Sequence, residues 1–505
     1  MNGAPGDLPN DIEQLKQLVL ASRAEVEHLK LVIAKLKRLQ FGRSSEKLDR
    51  EIEQLELRLE ELQVSVVPVA RPESKQPAAQ TPVRRPLPPH LPRSRVEHTP
   101  ACTCPDCGAA MRKIGEDVAE VLDYVPARFR VIQHVRPKFA CAACERIVQV
   151  QAPSRPIDRG LAGAGLLAHV LVSKYADHLP LYRQTQIYAR EGVHIERSTM
   201  AEWVASCFRL LDPLVEALAR YVMATGKLHA DDTPVPVLDP GRGRTKSGRL
   251  WTYVRDDRPA GSAEAPAVLF RYAPDRRGER PREHLASFSG VLQADAYAGF
   301  AHLYEGGRIR EAACWAHARR GFYDLYQAHN SPIAAEALER IGALYAIEAE
   351  IRGRTPEERA AVRQARAGPV LEALREWLRQ MMSRVSKKSE LAKAIGYALT
   401  RWSALTRYCE DGRLEIDNNA AERALRVIAL GRKNYLFCGS DAGGERAAAI
   451  YSLLGTAKLN GIDPEAYLRH VLERIADHPI NRVDELLPWS VAAALQANPT
   501  AELAA

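Results

Sequence analysis

Past Gly226 the sequence changes texture, and that change constrains the fold more than any other stretch. Residues 227–230 are strand-like and lead into Asp231-Asp232-Thr233-Pro234. Two further β-branched and aromatic runs follow at 250–255 and 268–272, and a fourth at 290–294 ends in Asp295. Three strands in series, then another ending in an acid, is the order of a ribonuclease-H-like α/β sheet. In such a sheet the first and fourth strands are neighbours, so their terminal acids lie side by side. The stretch 333–408 reads as helix, an insertion into this core with Trp377 and Trp402 as anchors.

A third acid lies in Ile416-Asp417-Asn418-Asn419-Ala420-Ala421-Glu422-Arg423-Ala424-Leu425-Arg426. Asp417 or Asn418 is expected to cap a helix, with Glu422 more than a turn inside it. Asn419 and Arg426, three and four residues away, share its face. A single Asp at a strand end is most often a turn or cap residue. Asp231, Asp295 and Glu422 in this order instead fit phosphoryl transfer, which uses two divalent cations about 3.5–4 Å apart. Magnesium keeps several waters and takes one or two carboxylates, so acids at two strand ends and one on a facing helix would hold both ions.

At 505 residues the chain is too long for one ordinary core. With 46% hydrophobic and 27% charged residues it reads as a soluble protein. Lys and Arg outnumber acids 71 to 63, a net +8 that suits a polyanion without requiring one. The longest apolar run, about 161–173, is short of the roughly 20 residues a bilayer demands, and no signal peptide is visible. Nine cysteines include two Cys-x-x-Cys pairs, which points to metal ligation in a reducing compartment, the cytoplasm.

Those pairs are Cys104-Pro-Asp-Cys107 and Cys141-Ala-Ala-Cys144. Two knuckles close a tetrahedral zinc site, with strands expected at 118–124 and 129–135 between them; the alternative is reduced cysteines in a small β domain. Near the start, Ile12, Val19, Val26 and Ile33 share one heptad phase, and Leu15, Ser22, Leu29 and Leu36 the other. This predicts a parallel two-stranded coiled coil and a homodimer, against a helix packed on its own domain. From 162 to 225 the pattern is helical. A helix at 181–191, a turn at Gly192 and a second helix capped by Thr199 with Glu202 resemble a helix-turn-helix, with Ser198 and Thr199 entering a major groove. An ordinary helix hairpin is the other reading. The glycines at 439–444 read as a flexible loop, 445–459 as a last amphipathic helix, and the tail past about 488 as frayed.

These motifs resemble the bacterial insertion-sequence 66 transposases over nearly the whole chain. The resemblance runs through Phe41-Gly42-Arg43-Ser44-Ser45, the paired cysteines, Lys174-Tyr175-Ala176-Asp177-His178, His229-Ala230-Asp231-Asp232-Thr233 and Gln293-Ala294-Asp295-Ala296-Tyr297. It continues in Cys314-Trp315-Ala316-His317-Ala318-Arg319-Arg320, Asp417-Asn418-Asn419 with Glu422, and Gly431-Arg432-Lys433-Asn434. It implies Mg²⁺-dependent DNA cleavage and strand transfer at terminal inverted repeats, with Mn²⁺ as a substitute ion and one structural Zn²⁺. It also implies assembly as a dimer or larger, and small accessory proteins encoded alongside. The triad falls on Asp231, Asp295 and Glu422. The family pattern has Glu where this chain has Asp232, so the choice between Asp231 and Asp232 rests on register and favours Asp231. Cys314 and His317 resemble half a zinc site with no second pair nearby in sequence. The expectation there is a structural or DNA-contacting role, with His317, Arg319 and Arg320 meeting phosphate.

The resulting organisation is multidomain α+β. A coiled coil (1–65), a proline-rich linker (66–100), a zinc-binding module (101–155) and a helical region (156–225) precede a catalytic domain at 226–488 and a tail at 489–505. Two competing readings are a regulator with an inactive core and a nuclease that hydrolyses without joining.

Overall fold

The computed structural model describes residues 87–497, apart from 88, 90, 100–108, 126–127, 159, 240–243, 296, 432–433 and 435–437. The heptad segment, most of the proline-rich stretch, Cys104 and Cys107 lie outside the described residues. What is described is a mixed α+β chain with two open sheets.

The first sheet holds β1 (Arg93–Glu97), β2 (Met111–Val125), β3 (Arg128–Cys141) and β4 (Ile147–Gln149). β2 and β3 form a long antiparallel hairpin from Met111 opposite Cys141 to Val125 opposite Arg128, while β1 runs parallel to β3. The two expected strands are present and longer than their apolar runs, because pairing carries the ladder past them. The hairpin's inner face, with Leu122, Phe129 and Val131, joins the main core. Its buried Asp123 accepts the Leu166 N–H at 3.0 Å, at the start of α1 (Ala164–Tyr175).

Next come α2 (Leu181–Arg190) and α3 (Arg197–Met223), joined through Gly192 at φ +78°. The expected capping box at Thr199 and Glu202 does not form. The chain buries Val193 and Ile195 and turns helical at Arg197, so Thr199 falls inside the first turn and extended Glu196 takes the cap position. Met200, Val204, Cys207, Leu211, Leu214, Leu218 and Val222 repeat at three- and four-residue spacing and are all buried.

The second sheet holds β5 (Lys227–Asp239), β6 (Arg244–Arg255), β7 (Ala267–Ala273), β8 (Gly290–Ala294) and β9 (Ile309–Ala312), in the order β7-β6-β5-β8-β9. β5, β6 and β7 are antiparallel neighbours, whereas β8 is parallel to β5 and β9 parallel to β8. Asp231 therefore does not end a strand. β5 runs on to Asp239 against β6, and only its pairing with β8 stops at Ala230.

After β9 come α4 (Trp315–His329), α5 (Pro332–Ile351), α6 (Pro356–Val362), α7 (Gly368–Arg384), α8 (Glu390–Thr400) and α9 (Trp402–Thr406). They enclose a second apolar core in which Trp377 and Trp402 are 8% and 6% exposed. Trp315 anchors it by donating from Nε1 to the Leu405 carbonyl at 2.9 Å and meeting the Trp402 ring edge-on.

The chain returns to the sheet with α10 (Asn419–Gly431), α11 (Asp441–Leu459), α12 (Pro464–Arg474) and α13 (Pro488–Ala497). α11 begins within the glycine run expected to be a loop, with Ser440 accepting the Gly443 N–H at 3.1 Å. Two further helices follow it. The tail is not frayed at 488, because α13 lays Trp489 on the Tyr221 ring at 4.2 Å. Edge strand β7 is closed by α11: Ser452 Oγ accepts from Phe270 N–H, and Thr456 Oγ1 both accepts from Val268 N–H and donates to Val268 C=O. Side-chain hydroxyls thus satisfy a strand edge that would otherwise template further pairing. No described helix is long and apolar enough to cross a membrane.

Candidate active site

Register decides which acids meet. Ala230 on β5 pairs in parallel with Ala294 on β8, and both are buried. The next residues are Asp231, still within β5, and Asp295, just past the end of β8, and the charge of Asp295 bears on the Asp231 carboxyl. Asp232 alternates away. Its carboxylate is 1% exposed and held by Arg249 at 3.0 Å and Arg276 at 2.7 Å. The guanidinium of Arg276 also lies 3.8 Å from Asp295, bridging the two acids.

Burial pushes the Asp231 carboxyl up to about 7; the Asp232 N–H opposes this, and the charges of Asp295, Asp232 and Glu422 add to it. Asp231 is thus electrostatically joined to both other acids named from the sequence. An oxygen-only set of mutually repelling carboxylates is the donor chemistry a hard divalent cation prefers, so these residues fit magnesium.

Glu422 lies in the first turn of α10, nearer the helix start than expected. Asn418 is why. Rather than capping through its side chain, it is fully buried and donates from Nδ2 to the Ala230 carbonyl at 2.8 Å, with Oδ1 3.1 Å from His229 Nδ1. This clamp ties the start of α10 to β5 one residue before Asp231. Burial pushes the His229 imidazole down to about 3, keeping it neutral. Asp417 accepts the Asn419 N–H at 3.1 Å and the Asn419 side-chain amide at 2.7 Å. Asn419 therefore faces a cavity of about 300 Å³ between α10 and the helical body, shared with His229, Tyr345, Arg359 and Arg423. Arg426 is exposed one turn beyond Glu422.

α4 supplies the remaining neighbours. His317 Nδ1 stands 3.7 Å from Glu422 Oε1, and Arg319 and Arg320 are exposed just beyond. Cys314 Sγ is buried and accepts the Asn418 N–H at 3.1 Å. Burial raises its thiol to about 12. Ser198 and Thr199 sit apart, exposed and half-buried at the start of α3, with no described hydrogen bond or ion pair to the three acids. The sequence reading missed Arg249, Arg276 and the Asn418 clamp. Asn418 stood in plain view as a cap residue, but nothing local in the sequence marks either arginine as a partner of Asp232.

A family model described as the transposase IS66 family matches residues 159–446, spanning all three acids and both sides of this site. The chain belongs to the IS66 transposase family. Three further models of the family match along it: a zinc-finger binding domain of transposase IS66 at 101–145, an IS66 C-terminal element at 452–489, and a segment described as transposase C of IS166 homeodomain at 28–96. Two proteins of Sinorhizobium fredii (strain NBRC 101917 / NGR234) are similar throughout. The uncharacterized protein y4hP is 42% identical over 91% of this chain and 88% of the relative, and y4jD is 41% identical over 96% and 97%. Within this IS66-family chain the zinc-finger match encloses Cys104, Cys107, Cys141 and Cys144. Of these the structure describes buried Cys141, which closes β3, and exposed Cys144 in the turn after it.

Proposed function

We propose that this chain is a DNA transposase that binds the inverted repeats ending an insertion sequence and cuts and joins DNA strands, with Asp231, Asp295 and Glu422 as metal-binding acids. The observation that carries the proposal is the pairing of Ala230 with Ala294, each followed by an acid, with the charges of Asp295 and Glu422 bearing on Asp231. The sheet order β7-β6-β5-β8-β9, three antiparallel strands followed by two parallel ones, supports a ribonuclease-H-like core. When bound, two Mg²⁺ ions would activate the attacking oxygen and stabilise the leaving one. The chain's own groups do the positioning. Asn418 fixes α10 on β5, Arg249 and Arg276 match the charge of Asp232, and Trp315 ties α4 to the helical body.

Further parts of the reading rest on family membership and residue chemistry. Exposed Arg319 and Arg320, with His317, Asn419 and Arg426, would meet DNA. Ser198 and Thr199 would do so at the start of α3. Cys104, Cys107, Cys141 and Cys144 would hold one Zn²⁺, and the heptad segment would pair two copies. The protein would act in the cytoplasm on chromosomal or plasmid DNA, with accessory proteins of the same element.

The deciding experiment is Mg²⁺-dependent cleavage and joining of DNA carrying the element's ends, with wild type beside Glu422→Gln. Joined product from wild type, lost in the variant with DNA binding retained, supports the reading. Cleavage without joined product would favour a plain nuclease. Binding without cleavage by either protein, accessory proteins supplied, would favour a regulator.

A further inference from the structure

Cys314 has no task in the function proposed above and His317 only a contact to DNA, yet both converge on Glu422. Cys314 Sγ, a ring nitrogen of His317 and a carboxylate oxygen of Glu422 all lie within 4.8 Å of one another. Three observations raise this above proximity. First, His317 Nδ1 is shielded from solvent and makes no hydrogen bond. It stands 3.7 Å from Glu422 Oε1, too long for a hydrogen bond and near the roughly 3.4 Å expected between two ligands of one tetrahedral zinc ion.

Second, the sulfur is already an acceptor of a backbone donor. The Asn418 N–H, from the residue that leads into α10 and Glu422, reaches Sγ at 3.1 Å. Such a donor stabilises a thiolate once a cation has displaced its proton. Third, the frame is fixed. Cys314 and His317 stand at i and i+3 across the start of α4, and the Trp315 N–H donates to the Ile416 carbonyl at 3.1 Å. That bond locks the start of α4 to the segment leading into α10 and Glu422.

We infer that Cys314, His317 and Glu422 form a transition-metal site suited to Zn²⁺, separate from the paired cysteines at 104–107 and 141–144. A thiolate, an imidazole and a carboxylate select a borderline-soft ion over Mg²⁺, which prefers oxygen alone. Three protein ligands leave the fourth position to water or to a substrate oxygen. Binding releases the thiol proton to solvent, so occupancy falls as pH drops. Where the inference touches catalysis it rests on the proposed function: Zn²⁺ held here draws Glu422 away from Asp231 and Asp295 and opposes Mg²⁺.

The test uses the full-length chain, stripped with chelator and titrated with Zn²⁺ and then Co²⁺. Cys314→Ser and His317→Asn should each retain one zinc equivalent fewer than wild type. Each should also lose part of the visible cobalt bands, and Cys141→Ser should remove a different part. If Cys314→Ser fails to fold, His317→Asn decides, because that ring is partly exposed and its removal spares the bond from the Asn418 N–H to Cys314 Sγ. A His317→Asn protein with the wild-type zinc count and cobalt spectrum overturns the site. Zinc counting needs no DNA cleavage, so a chain that binds the extra equivalent but never cuts upholds this inference while sinking the proposed function.

Discussion

The Asp231-Asp232 dipeptide sends two carboxylates to opposite faces of β5, and their energetics diverge accordingly. Asp232 is buried against Arg249 and Arg276, where its charge is matched. Removing one member of a buried pair leaves the other charges uncompensated, so Asp232→Asn should cost about 3 kcal/mol. Asp231 has the reverse character: among the described residues it has no ion pair with a cation, and burial and neighbouring acids hold it up to about 7. Without divalent cations at pH 8 it is a charge held at a cost, and Asp231→Asn should stabilise the fold by about 1–3 kcal/mol while abolishing cleavage. Urea unfolding of both variants in chelator at pH 8 checks the pair. Equal destabilisation by both would mean that the register argument has chosen the wrong aspartate. The strands that lead to Asp231 and Asp295 could be read from the sequence because each is a short local run of strand-forming residues. Arg276 could not, because it lies 44 residues from Asp232 and only the β6–β7 turnback brings it home.

At the scale of elements, α11 shows why glycine misleads a sequence reader. Gly443 and Gly444 look like flexibility, yet both lie with Gly455 in a helix pressed onto β7. A Cβ on Gly444 would fall 2.3 Å from the Tyr272 ring, and one on Gly455 2.7 Å from Val268 Cγ1. Close approach is also what lets Ser452 and Thr456 reach the strand's backbone. Gly→Ala inside a helix normally gains about 1 kcal/mol. At Gly444 the steric cost should outweigh that gain and leave a net loss of about 1–3 kcal/mol. Gly342, exposed on α5 with nothing within 4 Å of its would-be Cβ, is the control, and Gly342→Ala should stabilise by about 0.5–1 kcal/mol. Thermal melts of the two variants that moved in the same direction would refute the packing argument. The same distinction explains the other misreadings. Strands and the helices between 332 and 406 announce themselves through apolar periodicity, which is local. The start of α3, the length of β5 and the docking of α13 depend on partners distant in sequence, and no local pattern encodes them.

For the whole molecule, buried titratable groups pull stability in opposite directions with pH. Burial pushes His284 down to about 4 and His229 down to about 3, against an ordinary 6.5. The unfolded chain therefore takes up protons that the fold refuses. The stability these histidines confer is complete above pH 6.5 and falls as pH drops toward 4, by about 1.4 kcal/mol per pH unit for each. Asp231 has the opposite sign. Its folded value of about 7 exceeds the ordinary 3.8, so the fold holds a proton that the unfolded chain releases, and its contribution is lost as pH rises from about 4 through 7. The cation-free protein should accordingly be most stable near pH 6.5, with a gentle decline above it. A divalent cation among the acids reverses only the second effect, because it replaces the proton on Asp231. Below pH 7 it must displace that proton, and its apparent affinity should fall about tenfold per pH unit. The rise in melting temperature between chelator and saturating Mg²⁺ should thus be larger at pH 8 than at pH 5.5, and should vanish at both in Asp231→Asn. An equal rise at the two pH values in wild type would mean that the cation binds elsewhere, and that Asp231 is a buried acid without a metal to hold.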